Sequence, residues 1–255
     1  GRLTGQTDSV TGVTTSYTWT GTGAQPKLTS IKPGSQDAFT FTYTSSAADA
    51  KLSKVTRAVP ASAGGGTAQL AAIVYNVAPA NIAGLDLTQF TTHDYNLPRT
   101  ATKAFAVFGP DAVISSTPAA SAEAWKRADV WLTDAEGYTI HEARYGAGEW
   151  QITANIYDAS DHVIEAWDAS ATAEIRKPGG GAYTDVASAA TRTVYNAEPI
   201  LDAEGVVALV PAETRITDVF APAEMVLASG AGSPEMLRRH TETTYDEDAP
   251  TPGLS

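Results

Sequence analysis

The chain has no cysteine. That excludes a disulfide framework and thiolate metal sites, and leaves the redox compartment undetermined. Charge is scarce as well: 18% of residues are Asp, Glu, Lys or Arg, against roughly 25% in soluble domains. The polar surface must therefore be built from Thr, Ser, Asn and Gly. Of the two signs the basic one is scarcer, 17 residues against 29 acidic, for a formal net charge of −12. Such a surface repels phosphate backbones and anionic headgroups, which argues against nucleic-acid and membrane partners. The most apolar stretch, 68–87, is interrupted by Gln69, Asn76, Pro79 and Asn81 and cannot span a bilayer. No N-x-S/T sequon gives a clue to location.

What the chain does have is alternation. At 255 residues and 43% hydrophobic it is long enough to bury a core. Phe39-Thr40-Phe41-Thr42-Tyr43 sets aromatics at odd positions and threonines at even ones, the period of a strand with one packed and one wet face. Ser16-Tyr17-Thr18-Trp19-Thr20 has the same pattern. Strands are predicted over 27–31, closed by Pro33-Gly34, and over 52–59, closed by Pro60 and Gly64-Gly65-Gly66; 71–77 reads as a more buried one. The middle spells a meander: 130–133, the turn Asp134-Ala135-Glu136-Gly137, 138–145, the turn Gly146-Ala147-Gly148, 150–157, the turn Asp158-Ala159-Ser160-Asp161, and 162–167. Segments 192–195, 205–210 and 214–220 continue it. A short helix is predicted over 118–128, where Pro118 leads a run of helix formers, with another turn or two over 234–239. The stretch 79–128 is less regular, a candidate insertion, and 246–255 reads as an extended tail. The expected fold is all-β: one long antiparallel meander over 1–255, spiralling or shell-like.

Strand ends recur as an aromatic followed by Asp or Asn: Tyr157-Asp158, Trp167-Asp168, Tyr195-Asn196 and Tyr245-Asp246. Gly1-Arg2-Leu3-Thr4-Gly5 runs on to Thr11-Gly12-Val13-Thr14-Thr15, and Lys51-Leu52-Ser53-Lys54-Val55-Thr56 has a similar form. These residues resemble the YD repeats of the rearrangement-hot-spot (Rhs) and teneurin-like proteins. The family unit is a strand ending Tyr-Asp, a short turn with Gly-Arg, then Leu-Thr and another strand. Residues 157–167 match the whole unit, with Asp161-His162 where the family has Gly-Arg; residues 79–125 show no copy.

The resemblance implies a long β-ribbon wound into a hollow shell, which in bacterial members encloses a C-terminal toxin. It also implies a secreted or cell-surface, bacterial location. The chain has no Asp-Pro step, where such shells cleave themselves, and no distinct toxin region, so neither autoproteolysis nor toxicity is implied for it. It is expected to be a section of wall from a longer protein. Its partners would be other segments of that protein or an enclosed polypeptide such as a toxin or effector.

Residues with reaction chemistry are not arranged in recognised patterns. His93, His141, His162 and His240 form neither H-x-x-x-H nor H-E-x-x-H, and no G-x-S-x-G occurs. The sharpest enzymatic alternative is a glycosidase carboxylate pair, Asp134 or Glu136 with Glu142, or Glu149 with Asp158. Trp131, Trp150 and Trp167 would then be its platforms. Calcium is a further candidate at the oxygen-rich turns 158–161 and Asp246-Glu247-Asp248, although neither has the spacing that supplies successive ligands. A carbohydrate-binding or adhesive β module is the main alternative to the wall reading, with a glycan as its partner. No catalytic, cofactor or metal residue is assigned. The structural aromatics are Phe39, Phe41, Tyr43, Trp131, Trp150, Tyr157 and Trp167; of these all but Tyr157, together with Ile152, are expected to be buried.

Overall fold

The computed structural model describes residues 2–21, 26–47, 49–88, 90, 99–176, 189–196, 200–201, 208–210, 214–226 and 235–244. The expectations for His93, for 205–207, for Tyr245 and for the tail 246–255 lie outside these. The strands are β1 (Gly5–Thr7), β2 (Thr14–Thr20), β3 (Lys27–Pro33), β4 (Phe39–Tyr43), β5 (Leu52–Ala58), β6 (Thr67–Val77), β7 (Lys103–Phe108) and β8 (Ala128–Thr133). There follow β9 (Thr139–Gly146), β10 (Glu149–Tyr157), β11 (Val163–Trp167), β12 (Thr191–Tyr195), β13 (Ile200–Leu201), β14 (Ala208–Val210), β15 (Ile216–Val226) and β16 (Glu235–Glu242). One 14-stranded sheet takes the strands in chain order from β1 to β12 and then β15 and β16, while β13 and β14 pair by themselves. The protein is all-β, an antiparallel meander. Among the described residues no helix is long and apolar enough to cross a membrane.

Helix is where the expectation and the structure part. The segment 118–128 forms only a 3₁₀ stretch, Glu123–Arg127, pinned by Trp125, which is fully buried and donates its Nε1 hydrogen to Ala119 O at 2.9 Å. The described α-helix is instead α1, Ala169–Arg176. Asp168 begins it: its carboxylate accepts from the Ala171 amide and the Ser170 hydroxyl, satisfying donors that a first helical turn leaves open. The predicted turns at 234–239 are β16, in register with β15.

The chain divides into two compact units, one of Gly1–Leu85, Thr102–Leu132 and Ala143–Trp150, the other of Asp86–Ala101, Thr133–Glu142 and Gln151–Ser255. In the first unit the core lies on one sheet face: Ala72, Val74, Val77, Ala104, Ala106, Phe108, Val130 and Leu132 are buried there. Loop residues Ile82, Ala112 and Trp125 are buried with them. Gln69 ties down the loop after β7. Its Nε2 donates to Gly109 O and Ala112 O at 3.0 and 3.1 Å, and its Oε1 accepts from the Ile114 amide, so a buried amide is satisfied on both sides. The turn after β3 needs its glycine: Gly34 has φ +51°, and a Cβ there would stand 2.7 Å from Val13 Cγ1.

In the second unit Ile152, Ala154, Ile156 and Trp167 form a buried face, and Thr172 of α1 is buried while bonded to Ile152 O. The aspartates that end strands close the turns that follow. Asp134 Oδ1 accepts from the amides of Gly137 and Tyr138, and Asp158 Oδ1 from those of Ser160 and His162; Asn196 Oδ1 instead reaches the amides of Thr214 and Arg215, 18 and 19 residues on. At Tyr157-Asp158 the recurrence thus has a local cause: the aromatic ends the strand and the short oxygen-bearing side chain replaces ladder bonds in the turn.

Candidate functional site

Cross-strand register sorts the side chains of the first unit into two unlike faces. Tyr17, Ile31, Phe39 and Arg57 stand in one line across β2 to β5, and Phe41, Val55 and Ala71 in a parallel line across β4 to β6. Ile73 pairs with Val107 on the same face, and Tyr75, Phe105 and Trp131 extend it, with the rings of Phe105 and Trp131 stacked at 5.0 Å and 5°. The opposite face carries Thr18, Ser30, Thr40, Thr56 and Gln69 in register, and beside them Thr42, Lys54, Ala72 and Phe108. That second line passes from exposed hydroxyl to buried core.

Every large apolar side chain on the aromatic face is half-buried, from Tyr17 and Trp19 through Phe39, Phe41 and Tyr43 to Tyr75, Phe105 and Trp131. The expectation that Phe39, Phe41, Tyr43 and Trp131 are buried is therefore corrected. Period-2 alternation identifies the apolar face but not whether a second layer covers it: at β2 and β4 neither face is buried, and at β6 to β8 the buried face is the opposite one. Trp150, Ile152 and Trp167 are buried, at 2%, 0% and 1% exposure. Tyr157 is half-buried in the second unit.

The aromatic face is locked to its own backbone by one bond used several times. Trp19 Nε1 donates to Leu3 O at 2.7 Å, Tyr43 Oη to Leu28 O at 2.9 Å, and Tyr75 Oη to Leu52 O at 2.9 Å. Each leucine follows a basic residue, and two of those lie over the ring that makes the bond: Lys27 at 5.6 Å from the Tyr43 centroid and Lys51 at 5.0 Å from that of Tyr75. Arg2 instead donates to Gly21 O. In the second unit Tyr157 Oη donates to Thr139 O at 2.8 Å, and the cation over its ring is Arg99.

The candidates for chemistry are dispersed or already bonded. Asp134 is 3% exposed and pairs with Arg99 at 2.9 Å. Burial works to raise its carboxyl, but the Arg99 hydrogen bond and the amides of Tyr138 and Gly137 outweigh it and hold it below the usual range. Glu136, Glu142 and Glu149 are exposed. Trp150 is buried and donates to Ala83 O, and Trp131 is stacked against Phe105. In the turn 158–161 Asp158 Oδ1 accepts from two backbone amides, and the two oxygens of Asp161 accept from Arg99 and the Tyr138 hydroxyl. Among the described residues no group of three or more His, Asp or Glu is placed to hold a metal ion.

His141, 2% exposed, contacts the Phe90 ring at 4.5 Å and places Nδ1 3.2 Å from Thr153 O. Burial depresses it to about 4. His162 stacks on Tyr195 and stands 3.5 Å from Asp158 Oδ2, without hydrogen-bond alignment. His240 stacks on Phe220 and meets Asp218 at 2.7 Å. Sequence reasoning assigned no role to Arg99 or Gln69, whose partners lie 35 to 62 and 40 to 45 residues away; no local pattern signals either. No family model matches the chain, and no curated protein matches it.

Proposed function

We propose that this chain is a non-catalytic structural segment of a secreted or cell-surface, bacterial repeat protein of the YD/Rhs kind. In this reading it forms part of a β-wall whose aromatic face packs against an enclosed or displayed polypeptide. The observation that carries the reading is the aromatic face of β2 to β8. Its side chains are ordered by hydrogen bonds and lysine stacking yet only half-buried, while the core of the same unit lies on the other side of the sheet. An apolar surface of that extent on a soluble protein marks an interaction site. The bond from an aromatic to the carbonyl of a leucine after a basic residue, found at Leu3, Leu28 and Leu52, adds support. Those leucines belong to the Arg-Leu-Thr and Lys-Leu-Thr/Ser segments on which, at two of the three, the family resemblance rests.

A photo-crosslinking amino acid placed at Phe41, and separately at Thr40 on the hydroxyl face, tests this. The probe partner is a reduced, carboxymethylated protein that stays unfolded. Adducts from position 41 and not from position 40 are expected. Equal yields from both positions, or adducts only between copies of this chain, would overturn the reading.

A further inference from the structure

We infer that the groove at the ends of β4, β5 and β6 in the first unit binds an acidic saccharide, a reading independent of the wall proposal. The groove measures about 660 Å³ and is walled by Ile114, Ser115, Ser116 and Thr117 on one side and by the ends of the three strands on the other. Cavities of this size hold small ligands.

Its charge is opposite to that of the protein. Lys51 and Lys54 line it, with Asp49 the one carboxylate among the described lining residues, in a chain whose net charge is −12. Among the described residues neither lysine forms an ion pair: Lys51 lies over the Tyr75 ring and Lys54 reaches only Ile114 O, at 3.4 Å. Lys54 is also out of place for packing. Its register neighbour on β6, Ala72, is core, and the next in line, Phe108, is fully buried. An apolar side chain at 54 would extend that core; an ammonium there keeps a positive charge at the groove floor.

The remaining lining selects the ligand. The hydroxyls of Thr42, Ser115, Ser116 and Thr117 line the groove, and no protein hydrogen bond is assigned to them among the described residues. A hydroxyl both donates and accepts, as sugar hydroxyls do. A nucleobase is not favoured, because the two aromatic rings of the lining, Tyr43 and Tyr75, each already carry a lysine. The wall is also held in place before any ligand arrives. Buried Gln69 fixes the loop at Gly109, Ala112 and Ile114, immediately before the three hydroxyls, so little ordering cost falls on binding.

Calorimetric titration of the full chain at low salt, with a heparin-derived tetrasaccharide, a tetragalacturonate, neutral cellotetraose and inorganic sulfate, tests the assignment. At least one acidic tetrasaccharide should bind more tightly than both cellotetraose and sulfate; which one identifies sulfate ester or carboxylate as the anion. Lys51→Gln and Lys54→Gln should each weaken it roughly tenfold with unchanged circular dichroism, whereas Lys32→Gln, on β3 away from the groove, should not. Absence of binding by either acidic sugar, sulfate binding as tightly as the sugar, or full affinity in both lysine variants would overturn the inference.

Discussion

The guanidinium of Arg99 donates to Asp134 Oδ2 at 2.9 Å while lying 4.8 and 4.9 Å from the ring centroids of Tyr138 and Tyr157. Its other terminal nitrogen bonds Asp161, whose second oxygen accepts from the Tyr138 hydroxyl at 2.8 Å. One side chain thus ties together the two turns that Asp134 and Asp158 begin, all within the second unit. The two carboxylates are not equivalent, since Asp134 is 3% exposed and Asp161 44%. Arg99→Met should lower the urea unfolding midpoint clearly, because it leaves the little-exposed Asp134 carboxylate without its cation. Asp161→Asn, at the exposed end of the cluster, should lower it far less. Equal costs would show that burial does not set the strength of this cluster.

His141 makes the fold acid-sensitive in a defined window. Its folded value is depressed to about 4 by burial, against about 6.5 in an unfolded chain. The unfolded state therefore takes up a proton first as pH falls. The stabilisation is fully present above about 6.5 and is lost progressively as pH drops toward 4. Between pH 7 and pH 5 this residue alone should remove about 2 kcal/mol. In His141→Gln the loss over the same interval should shrink by about that amount, and parallel pH profiles for the two proteins would refute the assignment.

Burial distinguishes two phenylalanines that look alike in sequence. Phe108 is fully buried and Phe39 is half-buried. Phe108→Ala should cost about 3–5 kcal/mol through lost transfer energy and a cavity. Phe39→Ala should cost less, about 1–2 kcal/mol, since part of that ring already meets water and no closed cavity is left. Thermal unfolding of the two variants checks the contrast, and similar losses would mean that the aromatic face is covered in solution.

That contrast also marks how far the sequence could be read. The Phe39–Tyr43 alternation, the meander from Val130 to Trp167 and the turns at Asp134 and Asp158 were legible because each depends on neighbours in the chain. Which face of the sheet would be covered was not. The cover is made by loop residues such as Ala112 and Trp125, held by bonds like those of Gln69 that join segments some 40 residues apart. The helix was misplaced for a related reason. Its cap, Asp168, followed a strand-ending aromatic as Asp158 does, and only the helix-forming Ala169–Arg176 behind it set it apart. The Lys51–Lys54 groove was invisible because its wall comes from residues 114–117.

The bond from each aromatic hydroxyl to a leucine carbonyl gives the last test. Tyr43 and Tyr75 donate to Leu28 O and Leu52 O at the same 2.9 Å, and each ring also carries a lysine, Lys27 or Lys51. Tyr→Phe at either position deletes the donor while keeping the ring and the lysine above it. The expected cost is about 1 kcal/mol, that of one hydrogen bond to a carbonyl otherwise left to water. Tyr→Leu removes the cation's partner as well and should cost a further 0.5–1 kcal/mol or so at these partly exposed sites. The two bonds sit on different hairpins but adjoin, because Tyr43 stands opposite Leu52, the acceptor of the Tyr75 bond. The joint loss in the Tyr43→Phe, Tyr75→Phe double variant should therefore depart from the sum of the single losses by about 0.5 kcal/mol or more, whereas simple addition would mean that the rings do not support one another across the strands.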